Sequence, residues 1–129
     1  MALEHATRGF SKPALSSLAS AKILGVRSGS DHRFTGIWVV VVDDRVFVRS
    51  WNDKPTGWYR AFLAEPLGVI QAPGGSEIPV RAKKVRGERL LDSIDAGYAE
   101  KYHTPASQKW VRGFREDPRR ATTLEFTPR

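Results

Sequence analysis

The chain has 129 residues, of which 40% are hydrophobic, 10% aromatic and 27% charged, close to the average of a folded domain. It has no cysteine, which excludes disulfides, thiolate-bound metals and thiol nucleophiles. No apolar run reaches the roughly 18 residues of a membrane-spanning helix, and residues 1–10 lack the apolar region of a secretory signal. We therefore expect a cytoplasmic, non-membrane protein with a flexible arm over 1–10 and a single domain over 11–129.

The predicted elements mix helices with strands that form hairpins. Helices are indicated where apolar residues recur at helical spacing, in the first case behind the capping residue Ser11. Strands are indicated by β-branched residues or by alternation between turn residues. The chain is predicted to begin with a helix over 12–21 and an apolar segment over 23–29 that leads into a turn at 28–31. Two strands over 36–42 and 46–51 then flank a turn at 43–45, followed by a loop over 52–57, a helix over 58–64 and two strands over 67–72 and 77–86. The C-terminal part is predicted to contain helices over 88–102 and 105–115, a break at 117–118 and a strand over 120–127.

Strands linked by hairpins predict an antiparallel sheet, and five or six such strands usually curl into a small barrel that removes their edges. The fold class is therefore mainly β with helices (α+β), with six or so strands, a short inserted helix and two C-terminal helices before the last strand. In the helix over 105–115, we expect Trp110, Val111 and Phe114 to point inward.

The sequence shows no catalytic or metal-binding constellation. His5, His32 and His103 are too scattered for a metal site, and the neighbouring carboxylates of Asp43 and Asp44 point apart on a turn. We predict no metal and can name no catalytic residue.

The net charge of +7 invites a nucleic-acid interpretation, and the densest basic cluster lies between Arg81 and Arg89. The remaining cations are spread along the chain, and no zinc-finger spacing or RNA-binding aromatic motif is present. Nucleic acid is therefore the least favoured partner, since the same charge also attracts a phosphorylated small molecule.

The stretch Val46-Phe47-Val48-Arg49-Ser50, followed by a loop, Gly57-Trp58-Tyr59-Arg60 and Glu65-Pro66, resembles the flavin-binding split β-barrel proteins. These include the pyridoxamine-phosphate oxidase-like and the deazaflavin-dependent nitroreductase-like proteins. The upstream Arg27-Ser28-Gly29 and the closing segment 123–129 are similar to the same superfamily, so that the resemblance covers about residues 22–129. It fits best a small bacterial branch without a settled function.

The resemblance implies an antiparallel split β-barrel that forms a homodimer, with FMN or a deazaflavin at the dimer interface. It places the cofactor phosphate on Arg49, Ser50 and Lys54. Trp51 stands where relatives in the deazaflavin branch carry a Lys, and it offers a stacking surface beside Arg49. The predicted cofactor-binding residues are therefore Arg27, Ser28, Arg49, Ser50, Trp51, Lys54 and Trp58.

Three functions remain open from the sequence. The first is a flavin-type cofactor-binding protein that acts as an oxidoreductase of unknown substrate; whether it is an enzyme at all stays open. The second is a cofactor-free small-molecule or regulatory module on the same barrel, because one fold hosts many functions. The third is a nucleic-acid binder that uses the basic strand.

Overall fold

The computed structural model describes residues 9–30 and 33–129, so most of the predicted arm over 1–10 and part of the turn at 28–31 lie outside the described residues. The helices are α1 (Lys12–Ser20), α2 (Trp58–Ala64), α3 (Glu88–Lys101), α4 (Gln108–Gly113) and α5 (Asp117–Arg120), with a 3₁₀ turn at Pro105–Ser107. The strands are β1 (Leu24–Ser28), β2 (Thr35–Ile37), β3 (Val40–Val42), β4 (Arg45–Val48), β5 (Leu67–Gln71), β6 (Ile78–Lys84) and β7 (Leu124–Pro128). Among the described residues, no helix is long and apolar enough to cross a bilayer.

All seven strands belong to one antiparallel sheet in the order β2-β1-β5-β6-β7-β4-β3. The two edge strands, β2 and β3, are consecutive in the chain and are separated only by Trp38 and Val39. The sheet therefore curls until both of its edges meet in one short segment, which also satisfies the need to protect sheet edges. The predicted α+β fold with an antiparallel split barrel is confirmed.

Two hydrophobic cores lie on either side of this curled sheet. The first, called the barrel core below, is mostly aliphatic and fills the barrel: Leu18, Ala21, Leu24, Val26, Val39, Val46, Val48, Tyr59, Phe62, Ile70, Ala72, Val80, Ala82, Leu124 and Phe126. The second, called the aromatic core, lies under α3 and α4: Val40, Phe47, Val85, Ile94, Tyr98, Tyr102, Val111 and Phe114.

The strand predicted over 36–42 is broken at Trp38 and Val39. Both backbone groups of Val39 have partners outside the sheet: its N–H donates to Tyr102 Oη at 3.1 Å, and its carbonyl accepts from Lys101 Nζ at 2.7 Å. These bonds replace the ladder bonds that a continuous strand would make, and the chain can therefore pass from one edge of the sheet to the other.

Further local predictions need correction. The last strand begins at Leu124 rather than at residue 120, because residues 117–120 form a helix. The apolar segment 23–29 contains β1, whose buried and half-buried residues alternate as in a half-buried strand. Instead of a break, Asp117 and Pro118 begin α5, because proline is well suited to the first turn of a helix. Trp110 is 41% exposed rather than inward, whereas Val111 and Phe114 are buried as predicted.

Candidate functional site

A cleft of about 600 Å³ opens beside the end of β4, a volume typical of sites for small molecules. Its walls are the segment around β2, the loop from β4 to α2, and one face of α4. All four tryptophans of the chain line this cleft, namely Trp38, Trp51, Trp58 and Trp110. Such a concentration of large flat rings around one opening favours a planar, largely apolar ligand.

Trp38 is held rigidly at the back of the cleft. Its indole is stacked on Tyr102 with ring centres 3.8 Å apart and an angle of 4° between the planes, and it meets Phe114 edge-on at 5.9 Å. Tyr102 is itself fixed, because its hydroxyl donates to the carbonyl of Lys22 at 2.6 Å. Burial raises the pKa of Tyr102 to about 12, so this hydroxyl keeps its proton at neutral pH.

Lys101 supports the same corner from the other side. Its ammonium group donates to the carbonyls of Val39 at 2.7 Å and Leu18 at 3.2 Å, which ties α1 to the bend between β2 and β3. Burial, with a smaller contribution from Lys22, lowers the pKa of Lys101 to about 8.

Trp51 is packed on several sides. The guanidinium carbon of Arg119 lies 3.6 Å from its ring centre, and Arg119 Nε donates to the Trp51 carbonyl at 2.9 Å. Trp110 and Phe114 meet the ring edge-on at 4.8 and 5.4 Å. A side chain at Gly113 would collide with the indole, so the close approach of Trp51 requires glycine there.

Arg49 lines the cleft, but its side chain has no exposed surface and its guanidinium is engaged by the protein. Nε donates to Thr123 Oγ1 at 2.7 Å, and Nη1 donates to Asp95 Oδ1 at 2.5 Å and to the Phe114 carbonyl at 3.0 Å. Nη2 donates to the carbonyl of Leu91 at 3.1 Å. These four bonds use all but one of the donors of a guanidinium, so Arg49 mainly connects the end of β4 to α3, α4 and the start of β7.

The loop after Arg49 is also ordered by internal bonds. Ser50 Oγ accepts from the N–H of Asp53 at 3.0 Å, and the N–H of Ser50 donates to Thr122 Oγ1 at 2.8 Å. Asp53 makes a two-bond ion pair with Arg60, both bonds at 2.8 Å. Lys54 is exposed and lines the cleft; its carbonyl accepts from the N–H of Gly57 at 2.9 Å, but its ammonium group makes no hydrogen bond or ion pair with another residue that the structure describes.

Arg27 and Ser28 lie elsewhere, at the end of β1, and do not line the cleft. The buried Ser28 hydroxyl lies 2.7 Å from the Glu65 carbonyl and 3.0 Å from the Ala61 carbonyl, which fastens β1 to α2. Arg27 pairs with Glu77 at 3.3 Å and lies over the ring of Phe34 at 4.5 Å. The structure therefore gathers five of the seven predicted residues in the cleft: Arg49, Ser50, Trp51, Lys54 and Trp58. Their roles toward a ligand stay a prediction.

Sequence reasoning missed several residues of the cleft. Trp110 and Phe114 were expected to point into the core, and Trp38, Asn52 and Thr56 were not named as site residues, although all five line the opening. Four tryptophans in 129 residues were a usable signal, but their convergence on one site depends on contacts between distant parts of the chain.

A second, separate cleft of about 550 Å³ is lined by Arg45 and by three members of the basic cluster, Lys83, Lys84 and Arg86. Two of its cations already have partners, because Arg45 pairs with Glu125 at 2.8 Å and Lys84 donates to Tyr59 Oη at 3.0 Å. Lys83 and Arg86 are the exposed cations that remain at this surface.

The chain was compared with known proteins in sequence and in structure. No curated protein matches the chain significantly in sequence. In structure, it is similar to the conserved hypothetical protein Rv2991 of Mycobacterium tuberculosis, with a TM-score of 0.56 and 14% identity over 94% of this chain and 81% of that one. It is similarly close to a Listeria innocua protein provisionally named a pyridoxamine 5′-phosphate oxidase, with a TM-score of 0.56 and 14% identity over 91% of this chain and 90% of that one. Identity this low shows a shared fold and no more.

A family model matches most of the chain. The model of the family DUF2255, described as an uncharacterised protein conserved in bacteria, matches residues 16–126, and the chain therefore belongs to this bacterial family.

Proposed function

We propose that the tryptophan-lined cleft binds a flavin-type cofactor, FMN or a deazaflavin. The observation that carries the proposal is the convergence of all four tryptophans on one cleft of about 600 Å³. The barrel that bears this cleft has the fold of the Listeria innocua protein named above, and this likeness also supports the proposal of a flavin-type cofactor.

The residues of the cleft suit the ring of such a cofactor. A tricyclic ring is planar and mostly apolar, and the half-buried indoles of Trp38 and Trp58 offer flat surfaces beside Ile37. The polar end of the cleft is formed by Lys54, Ser50 and Asn52, which would hold the phosphate or the hydroxyl groups of the cofactor's own side chain. Because the Arg49 guanidinium is used internally, we assign Arg49 the task of fixing the wall rather than holding the phosphate.

A bound flavin supplies hydride or electron transfer, and an oxidoreductase function rests on that chemistry. The chain's own contribution would be to bind and orient the ring and to shield it from water. Of the charged residues that line the cleft, Arg49 and Asp53 are held in ion pairs with Asp95 and Arg60. The protein groups described here therefore serve binding and positioning.

We further propose that the functional unit is a homodimer, as the resemblance implies. Ile23 and Trp110 at the rim of the cleft are 45% and 41% exposed. A second copy of the chain would cover these side chains and close the cleft. Light scattering coupled to size-exclusion chromatography should give twice the mass of the chain, and a mass of one chain at micromolar concentration would contradict the dimer.

The cofactor proposal is tested by a thermal-shift titration with FMN and a deazaflavin, with pyridoxal phosphate as a comparison ligand. At about 100 times its Kd, a ligand stabilises the protein by roughly 2.7 kcal/mol, which raises the Tm by several degrees. We expect this shift with a flavin. Trp110→Ala, in the cleft, should reduce the shift, and Leu63→Ala should not, since Leu63 is 40% exposed but lies away from the cleft.

A cofactor-free binding module is the second candidate, favoured by one observation. Arg119 covers one face of the Trp51 ring at 3.6 Å, at the position where the resemblance to the deazaflavin branch implies a phosphate-binding Lys. A colourless protein whose Tm is unchanged by either flavin would overturn the first proposal and leave this one.

A further inference from the structure

The cleft combines much aromatic surface with little available charge. Its charged lining residues are Arg49, Asp53 and Lys54. Arg49 is paired with Asp95 at 2.5 Å, and Asp53 is paired with Arg60 at 2.8 Å. Among the described residues that line the cleft, Lys54 is thus the one charged side chain without an ion-pair partner.

The position of Lys54 limits what this charge contributes. Its side chain is exposed, in a loop between β4 and α2, and an ion pair in water is weak because solvent screens it. A phosphate held by this lysine therefore strengthens binding by less than about tenfold. Ser50 adds little to this, because the residue is buried, with only 5% of its surface exposed, and so presents little of its hydroxyl to an anion.

The aromatic surface is much larger than this polar end. Four indoles and the ring of Phe114 border one opening, and Trp38 is fixed in place by its stack on Tyr102 at 3.8 Å. Rings that are already oriented lose little conformational freedom when a flat ligand slides between them, and that increases their contribution to affinity.

We infer that this cleft selects its ligand by the planar ring, and that the ligand's anionic group contributes little to affinity. The inference rests on the proposed function and deepens it by naming the ligand class: a tricyclic ring with no charge or with one anionic group. Riboflavin, which has no phosphate, then binds nearly as tightly as FMN. The pyrophosphate of FAD does not increase the affinity above that of FMN. A cleft built around a phosphate would show the opposite order.

Binding of riboflavin, FMN and FAD to the full chain at one fixed salt concentration tests the inference. The quenching of tryptophan emission measures the affinity, because every tryptophan borders the cleft. We expect the Kd of riboflavin to lie within about tenfold of that of FMN, and FAD to bind no tighter than FMN. A preference for FMN or FAD over riboflavin by more than about tenfold overturns the inference and leaves the flavin proposal intact.

Lys54→Ala provides the matched test. It should weaken FMN binding to the level of riboflavin and leave riboflavin binding unchanged. Lys12→Ala is the control, since Lys12 is also exposed but lies on α1 away from the cleft, and it should change neither affinity. Weaker riboflavin binding in Lys54→Ala would overturn the inference. Failure of all three ligands to bind would also overturn it, and would overturn the proposed function as well if the deazaflavin leaves the Tm unchanged.

Discussion

The two hydrophobic cores of this molecule differ in chemistry as well as in place. The barrel core is mostly aliphatic and holds the curled sheet together. The aromatic core has four rings among its eight buried residues, surrounds the guanidinium of Arg49 and continues into the cleft through Trp38 and Trp51. Ring stacking and hydrogen bonds depend on direction, whereas aliphatic packing depends mainly on shape and volume. The aromatic core is therefore the part that fixes the orientation of the cleft residues.

The largest effect is expected where the aromatic core holds a charge. Arg49→Met leaves Asp95 without this partner and removes the Arg49 donors from the buried carbonyl of Phe114 and the part-buried carbonyl of Leu91, so the free energy of unfolding should fall by about 3–5 kcal/mol. Urea unfolding measures the loss. Arg86→Ala is the control, because Arg86 is exposed and makes no bond with another described residue, and it should leave stability unchanged. A loss below about 1 kcal/mol for Arg49→Met would mean that the hydrogen bonds and the ion pair of Arg49 contribute little to the stability of the fold.

The barrel core is tested at Gly68 on β5. A Cβ there would collide with the backbone carbonyl of Arg27 and lie 2.7 Å from Cε1 of Phe62. The carbonyl belongs to the neighbouring strand and cannot move aside, so Gly68→Ala should cost about 3 kcal/mol, the upper end of the usual range for overpacking. Thermal unfolding is the measurement. Gly9→Ala, with no atom within 4 Å of the new Cβ, should leave the Tm unchanged.

The corresponding glycine of the aromatic side, Gly113, should be more tolerant. Its Cβ would collide with the indole of Trp51, a side chain rather than backbone, so the indole and its neighbours can give way in part and Gly113→Ala should cost about 1–2 kcal/mol. The cost should disappear in a Trp51→Ala background, which a double-mutant cycle measures. Equal costs in both backgrounds would show that Trp51 is not what requires glycine at this position.

A pH-dependent effect is expected at Lys101, where the two cores meet. Its pKa is about 8 in the folded protein and 10.5 when unfolded, so between these values only the unfolded chain keeps the proton. The free energy of unfolding of the wild type should therefore rise with pH across this window. That of Lys101→Met should not show this rise. Lys12→Met is the matched control and should follow the wild type. Parallel stability curves for wild type and Lys101→Met from pH 7 to 10 would contradict a lowered pKa.

Local sequence signals were sufficient for elements whose ends are marked by nearby residues. The helix at Trp58–Ala64 was predicted with its observed ends, because Gly57 and Pro66 bound it. The break in the strand at Val39 could not be predicted in this way, since it depends on bonds to residues 62 and 63 positions away. The same holds for the candidate site. The pattern singled out Arg49, but its partners Asp95, Phe114 and Thr123 lie 46, 65 and 74 positions along the chain.

The place of β7 in the sheet has a consequence for synthesis on the ribosome. β2, β1, β5 and β6 form one half of the sheet, β4 and β3 form the other, and only β7 joins β6 to β4. Both halves are translated well before residues 124–128 emerge, so each must wait with an exposed edge that can pair with another nascent chain. The interval before β7 arrives is thus the stage at which the strand edges of β6 and β4 are most open to pairing with another chain.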